Sequence, residues 1–168
     1  MSKQELKQKG FTIIEVVLVL AIAALIFLMV LIALPALQKG QRDTQRKDDL
    51  SRVNTQIQNY ASGNRGAIPT VAKFTGSTGF VQKYLGGTGS VAGSEYADPQ
   101  TGTGYEFKAY SGASSADTEP DAVGKIAYYY QAKCGDDGAT VASTNLRDYD
   151  LQIKLENQTS VYCLDSQQ

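Results

Sequence analysis

The 168 residues give enough chain for one modest domain plus an anchor, and a net charge of −1 gives no overall basic balance pointing to nucleic acid. There is no histidine, so the usual acid–base catalyst and commonest metal ligand are missing, along with any Ser/His/Asp or Cys/His nucleophile. Two cysteines fall short of a structural zinc site, and the glycines lie in Thr/Ser-rich stretches rather than a phosphate loop, so no enzyme, metal or cofactor is expected.

The chain opens with MSKQELKQKG, in which Lys3, Lys7 and Lys9 outnumber Glu5. From Phe11 to Leu37 the only charged side chain is Glu15, and the 22 residues from Val16 to Leu37 carry no charge. That run meets the need of roughly 20 apolar residues for a spanning helix. It is too long for the core of a secretory signal, and no A-x-A-like cut follows it. The lysines ahead of it place Met1 in the cytoplasm by the positive-inside rule, with everything after about Lys39 outside. Glu15 is the odd residue, because an ionised acid at a bilayer centre costs about 2.5–3.5 kcal/mol on insertion scales.

The helical pattern continues past the apolar run. Leu50, Val53, Ile57 and Tyr60 recur at i, i+3, i+7 and i+10, one stripe of a helix. Arg42, Arg46, Lys47, Asp48, Asp49 and Arg52 fall on the other faces, and Asp43 with Lys47 is an i, i+4 pair in the favourable order. One helix is therefore predicted from Phe11 to about Ala61, ending at Gly63. Pro35 lacks the donor for the carbonyl of Leu31, and Gly40 is a poor helix former, so the two mark a helix break. The break reads either as a simple kink at the membrane edge or as a hinge able to unwind. A nucleic-acid role would need aromatics beside basic side chains on one face. The basic residues of this helix alternate with acids instead, which reads as a solvated stalk, so nucleic acid is not indicated.

Between residues 63 and 104 the chain turns to Gly, Thr and Ser, a loop region with at most one short helix, GFVQKYL, capped by Thr78. Strands follow over residues 105–168. Tyr105, Phe107 and Ala109 alternate with Glu106, Lys108 and Tyr110; Ile126, Tyr128, Tyr130 and Ala132 alternate with Ala127, Tyr129, Gln131 and Lys133; and Tyr149, Leu151, Ile153 and Leu155 alternate with Asp150, Gln152, Lys154 and Glu156; SVYCL is the last. Four strands with short or medium links predict an antiparallel meander, one face of which needs a cover, and the stripe of the long helix is available to supply it. The expected fold class is α+β, a long amino-terminal helix packed on a four-stranded antiparallel sheet. Cys134 and Cys163 are both placed outside the membrane by this topology and are expected to bond, two free buried thiols being the alternative. Asp136, Asp137, Asp148 and Asp150 lack the spacing of a preformed calcium loop and read as solvated loop acids. Asn157-Gln158-Thr159 is a sequon in a turn.

A short basic leader, Gly10 before the aromatic Phe11, Glu15 five residues after that glycine, and then about twenty apolar residues together resemble the signature of type IV pilins. The wider class of type IV filament proteins, including the pseudopilins of type II secretion, shares it. The resemblance is firm over residues 1 to about 62 and architectural beyond. It implies a leader, residues 1–10, cut by a prepilin peptidase between Gly10 and Phe11, with N-methylation of Phe11. Removing the leader takes the charge to −3, from 13 basic and 16 acidic residues. It implies a transmembrane and assembly helix over 11–37, an amphipathic continuation over 38–62 and a head over 63–168. It also implies a single-pass inner-membrane protein that passes to an extracellular filament of its own copies, with the assembly platform and its ATPase as partners. In that filament Glu15 would neutralise the amine of a neighbouring Phe11; the alternative is an interfacial acid with no partner. A disulfide near the carboxy terminus and subunit contacts through the loop region are similar to pilins too. The expected function is a type IV pilus subunit serving adhesion, motility or DNA uptake. A pseudopilin or minor pilin is the alternative, and a monomeric anchored binding module is a more distant one.

Overall fold

A computed structural model describes residues 10–112, 120–136 and 138–167. The chain divides into two units, Met1–Gln38 and Lys39–Gln168, and one helix, α1 (Ile13–Gly63, 51 residues), contributes to both. α1 is assigned without interruption through Pro35 and Gly40. At its carboxy end the Asn64 side chain donates to the carbonyl of Tyr60 (2.7 Å), and the Gly66 N–H donates to Ala61 (2.8 Å). Arg65 and Gly66 then take positive φ, which turns the chain out of the helix.

In the first unit every side chain from Phe11 to Leu37 is exposed except the half-buried Ala23. In the second, Leu50, Val53 and Ile57 are fully buried and Tyr60 packs against them, the predicted stripe. They meet α2 (Val71–Phe74), α3 (Phe80–Tyr84), a 3-10 turn (Ser94–Tyr96) and one face of a sheet. Thr78 does not cap α3: the cap position is Gly79, and no side chain bonds there. The Phe74 ring stacks on Tyr128 at 4.0 Å and on Phe80 at 5.0 Å, which closes the core beneath the loop region.

The sheet runs β1 (Glu106–Ser111), β2 (Lys125–Tyr130), β5 (Tyr149–Lys154), β6 (Val161–Asp165) in that spatial order. It is mixed and not antiparallel throughout. β1 and β2 are parallel, with Phe107 opposite Ile126, while β2–β5 and β5–β6 are antiparallel. The length of the link permits this. Thirteen residues, 112–124, separate the two strands, enough for the crossover that a parallel pair needs, whereas a tight hairpin would force antiparallel pairing.

The second predicted strand also breaks earlier than its alternation suggests. Gln131 takes φ +59°, ending β2, and the chain re-enters as a short hairpin of β3 (Ala132–Cys134) and β4 (Thr140–Ala142). β3 packs against β5 and β6, and Ala132 joins Ala127 and Tyr129 in a second small core on the sheet face away from the helix stripe. Both faces of the sheet are therefore covered, and every residue of β5 before Lys154 is buried.

The polar face of α1 is not simply solvated. Arg46 is 0 % exposed and forks onto Asp98, Nε to Oδ2 at 2.6 Å and Nη2 to Oδ1 at 3.2 Å. Its Nη1 donates to Asp43 (3.0 Å) and to Glu156 (2.7 Å), and Arg42 takes Glu156 in a second fork. Asp43 in turn accepts the backbone N–H groups of Glu156 and Asn157, and Lys47 lies over the Tyr162 ring. Asp43 thus pairs with Arg46, not with Lys47 as its spacing suggested. Arg42, with Arg46 behind it, holds the Glu156 carboxyl down at about 2, and burial of Asp98 is outweighed by Arg46 and two backbone donors, so its pKa is also lowered. Asp49 is buried as well and accepts from Tyr105 and Arg52.

Candidate functional site: the amino-terminal junction

The expected leader carries Lys3, Lys7 and Lys9, which lie outside the described residues. Gly10 and Phe11 precede the helix outside any regular element and are exposed, Phe11 at 88 %. Nothing lies within 4 Å of where a Gly10 side chain would begin, so the fold of this chain does not demand glycine there. A demand for glycine would have to come from whatever enzyme reads the junction.

Glu15 has a local partner that the spacing of the signature does not reveal. Thr12 sits just ahead of α1, and its backbone N–H and hydroxyl both donate to Glu15 Oε2, at 2.9 and 2.7 Å. The Thr12 carbonyl accepts from the Glu15 N–H at 3.1 Å. This is one half of a capping box: the acid three residues into the helix satisfies an amide that the helix leaves free, while the Thr12 hydroxyl turns to the same carboxylate instead of to the Glu15 N–H. The T-x-x-E pattern at Thr12–Glu15 was there to be read and carries that mechanism. Both bonds use Oε2, and no bond to Oε1 forms among the described residues. Glu15 and Phe11 share a shallow depression of about 480 Å³ with Val16, Val19 and Leu20, successive positions along one helix face.

Behind the junction, nineteen large apolar side chains from Phe11 to Leu37 stand at least half exposed, a surface far beyond what a soluble monomer leaves open. The window is long and apolar enough to cross a membrane, with a mean hydropathy of 3.4. Pro35 and Gly40 lie within continuous helix in the single chain, and the Gly40 carbonyl accepts from the Thr44 hydroxyl.

A family model described as a prokaryotic N-terminal methylation motif matches residues 6–31. The segment is a type IV pilin-like prepilin signal. The match covers the junction, Glu15 and the apolar run as far as Leu31, the stretch on which the resemblance rested. The long helix packed on a four-stranded sheet is likewise a pilin-like α+β arrangement. No curated protein and no solved structure matches the chain.

The remaining expected residues fall in the head. Cys134 on β3 and Cys163 on β6 form a disulfide, with Cα atoms 5.8 Å apart. The bond joins the hairpin to the edge strand of the sheet. The acids read as solvated are not uniformly so. Asp148 is buried and held by Ser143, Asn145 and Lys133; burial works against its charge, but these partners prevail and its pKa is lowered. Asp150 is fully buried between Tyr129 on β2 and Asp165 on β6, and neither of its carboxyl oxygens has a hydrogen-bond partner among the described residues. Asp136 is exposed and Asp137 lies outside the described residues. Among the described residues no group of three metal-ligating side chains could hold an ion. Asn157 of the sequon is exposed, with its backbone tied to Asp43.

Proposed function

We propose that this chain is a structural subunit of a type IV pilus, polymerised through residues 11–37 into an extracellular filament after a prepilin peptidase cuts between Gly10 and Phe11 and methylates Phe11. The observation that supports the reading is the uncovered apolar helix that a methylation motif overlaps. In the membrane, lipid covers that surface. In a filament, neighbouring copies replace lipid, handed over by the assembly platform and its ATPase, and the subunit performs no catalysis of its own.

The capping box adds a step to the expected role of Glu15. In the single chain its carboxylate stays close to the helix end with Oε2 bound by Thr12, so Oε1 is the oxygen left to meet an incoming amine. The new amine of a neighbouring Phe11 exists only after the cut and is mostly charged near neutrality, given an unperturbed pKa of about 7.7–8.0. Pairing it with Glu15 rewards correct axial register among bundled helices and penalises a misplaced one. Loosening between Leu31 and Gly40 belongs to the same proposal: Pro35 removes one backbone bond there, and the bundle rather than the single helix would exploit it.

The test pairs two variants expressed beside the unaltered chain. Glu15→Leu is expected to enter the membrane and to be cut after Gly10, yet to yield few or no fibres by electron microscopy of sheared cells. Gly10→Leu is expected to remain uncut, with Met1 to Gly10 still attached by intact mass. Normal fibre yield from Glu15→Leu overturns the assembly role, and fibres built from uncut chain overturn the whole reading.

A further inference from the structure

At the end of the head where α1 terminates, the fold gathers side chains that are far apart in sequence. Two adjoining concavities of about 340 and 450 Å³ share Tyr60, Asn64 and Lys73. Lys83 lines the first; Arg65 and Arg147 line the second. All four cations are exposed, none has an ion-pair partner among the described residues, and no Asp or Glu among those residues lines either hollow. The chain as a whole is acidic by one charge, so four unopposed cations in one place are a local departure from its balance. Elsewhere on the head several cations are engaged: Arg42 and Arg46 with Glu156, Arg52 with Asp49 and Lys133 with Asp148.

Aromatic rings are interleaved with these charges. Tyr60 and Tyr84 meet edge to face at 5.6 Å in the first hollow, with Lys83 Nζ 5.8 Å from the Tyr84 ring centre. Tyr130 lines the second, and all three tyrosines are partly exposed. Rigid elements hold the set. Tyr130 ends β2, Lys73 belongs to α2, and the Arg147 guanidinium lies over Gly66, about 3.1 Å from where a side chain there would begin. Gly66 takes φ +81°, so the close approach of Arg147 uses the one residue type that fits both the turn and the contact.

We propose that this tyrosine-lined cationic surface binds single-stranded nucleic acid. Spaced cations track a phosphate backbone, and exposed aromatic rings give unpaired bases a face to stack on, a combination that tolerates any sequence. A duplex hides its bases from such rings, and a bare polyanion has no use for them. The proposal does not depend on filament assembly, and it meets at this surface the condition that the charge-alternating helix fails.

The experiment uses the full chain in an uncharged detergent and a fluorescein-labelled single-stranded DNA of about 20 nucleotides, read by anisotropy. If all four cations contact phosphates, the slope of log affinity against log salt is about −0.7 per contact, so raising salt from about 50 to 200 mM weakens binding about 50-fold. Lys73→Glu with Arg147→Glu is expected to weaken binding more than tenfold and flatten that slope. Lys47→Glu with Lys154→Glu, the same charge change away from the hollows, is expected to leave both nearly unchanged. Tyr84→Leu keeps an apolar side chain in the packing and should weaken the oligonucleotide at least fivefold while leaving a sulfated polysaccharide unaffected; unchanged circular dichroism checks that each variant folds. Absence of binding at 50 mM salt, equal loss in the two charge-reversed pairs, or equal affinity for polysaccharide and oligonucleotide in both the Tyr84→Leu and unaltered chains would each overturn the proposal, the last in favour of a surface for polyanions in general.

Discussion

Replacing Asp150 with Asn should stabilise the head increasingly as pH rises. Asp150 lies on β5, on the sheet face covered by β3, with no exposure and no hydrogen-bond partner for either oxygen among the described residues. Burial pushes its carboxyl up to about 7 against an opposing pull from the neighbouring Thr140 hydroxyl, and the adjacent Asp165 adds a smaller push upward. The ordinary value is 3.8. Because the folded value is the higher one, the folded head holds this proton more tightly than the unfolded chain does, and stability falls as pH rises from about 4 to about 7. A gap of about three pH units at 1.36 kcal/mol each makes the full cost above pH 7 about 4 kcal/mol. Asn has the same shape and no charge at any pH. Its own buried amide carries a desolvation cost of about 1–3 kcal/mol, but that cost does not change with pH. The readout is therefore the difference between two pH values and not the absolute stability. Urea unfolding of the full chain in uncharged micelles can be followed by the fluorescence of its ten tyrosines, since there is no tryptophan to mask them. The advantage of Asp150→Asn over the unaltered chain should grow by about 4 kcal/mol between pH 4 and pH 8.5. Parallel pH profiles for the two proteins would refute the reasoning, because they would mean that Asp150 is ionised at little cost in the folded head.

Three other consequences concern the contacts that hold the head together. Arg46→Ala leaves Asp98 buried without its counter-ion and should cost about 3–5 kcal/mol in the same urea assay, whereas Lys47→Ala should cost less than 1. The unaltered chain should also lose stability as pH falls from about 4.5 toward 2, because the Glu156 carboxyl is held below its ordinary 4.5 by Arg42 and Arg46 and the stability it contributes is present only while it is charged; an acid limb unchanged in Glu156→Gln would contradict this. Cys134→Ser with Cys163→Ser opens a loop of 29 positions and should lower head stability by about 3–4 kcal/mol in the chain-entropy model, while peptide mapping of the unaltered chain without reductant recovers the linked pair; two thiols that alkylate freely in native protein would contradict the bond.

What could be read from the chain in advance divides by the range of the interaction that decides it. The apolar run, the stripe of Leu50, Val53 and Ile57 and the alternation along β1, β2 and β5 are local periodicities, and each element appears where its pattern lies, except that β2 ends at Tyr130, short of its pattern. The T-x-x-E cap at Thr12 is equally local, and it gives Glu15 a near partner beside the distant one that the signature implies. The parallel pairing of β1 with β2 was not legible, because alternation fixes which face a side chain occupies and says nothing of which neighbour a strand joins. The β3–β4 hairpin has strands of three residues, too short for a period to show, and it was this hairpin that buried the sheet face on which Asp150 lies. Arg46 is the most instructive case. On a helical projection it belongs to the polar face, and only Asp98 and Glu156, 52 and 110 residues away, turn it inward. The two halves of that helix surface do different work. An apolar stripe repeating every three or four residues can be satisfied, less well, after a slip of one turn, since one aliphatic side chain replaces another. A guanidinium forked onto one carboxylate cannot, because a slip leaves two buried charges unpaired. The stripe supplies most of the attraction between α1 and the head, and Arg46 with Arg42 supplies the register at which that attraction is realised.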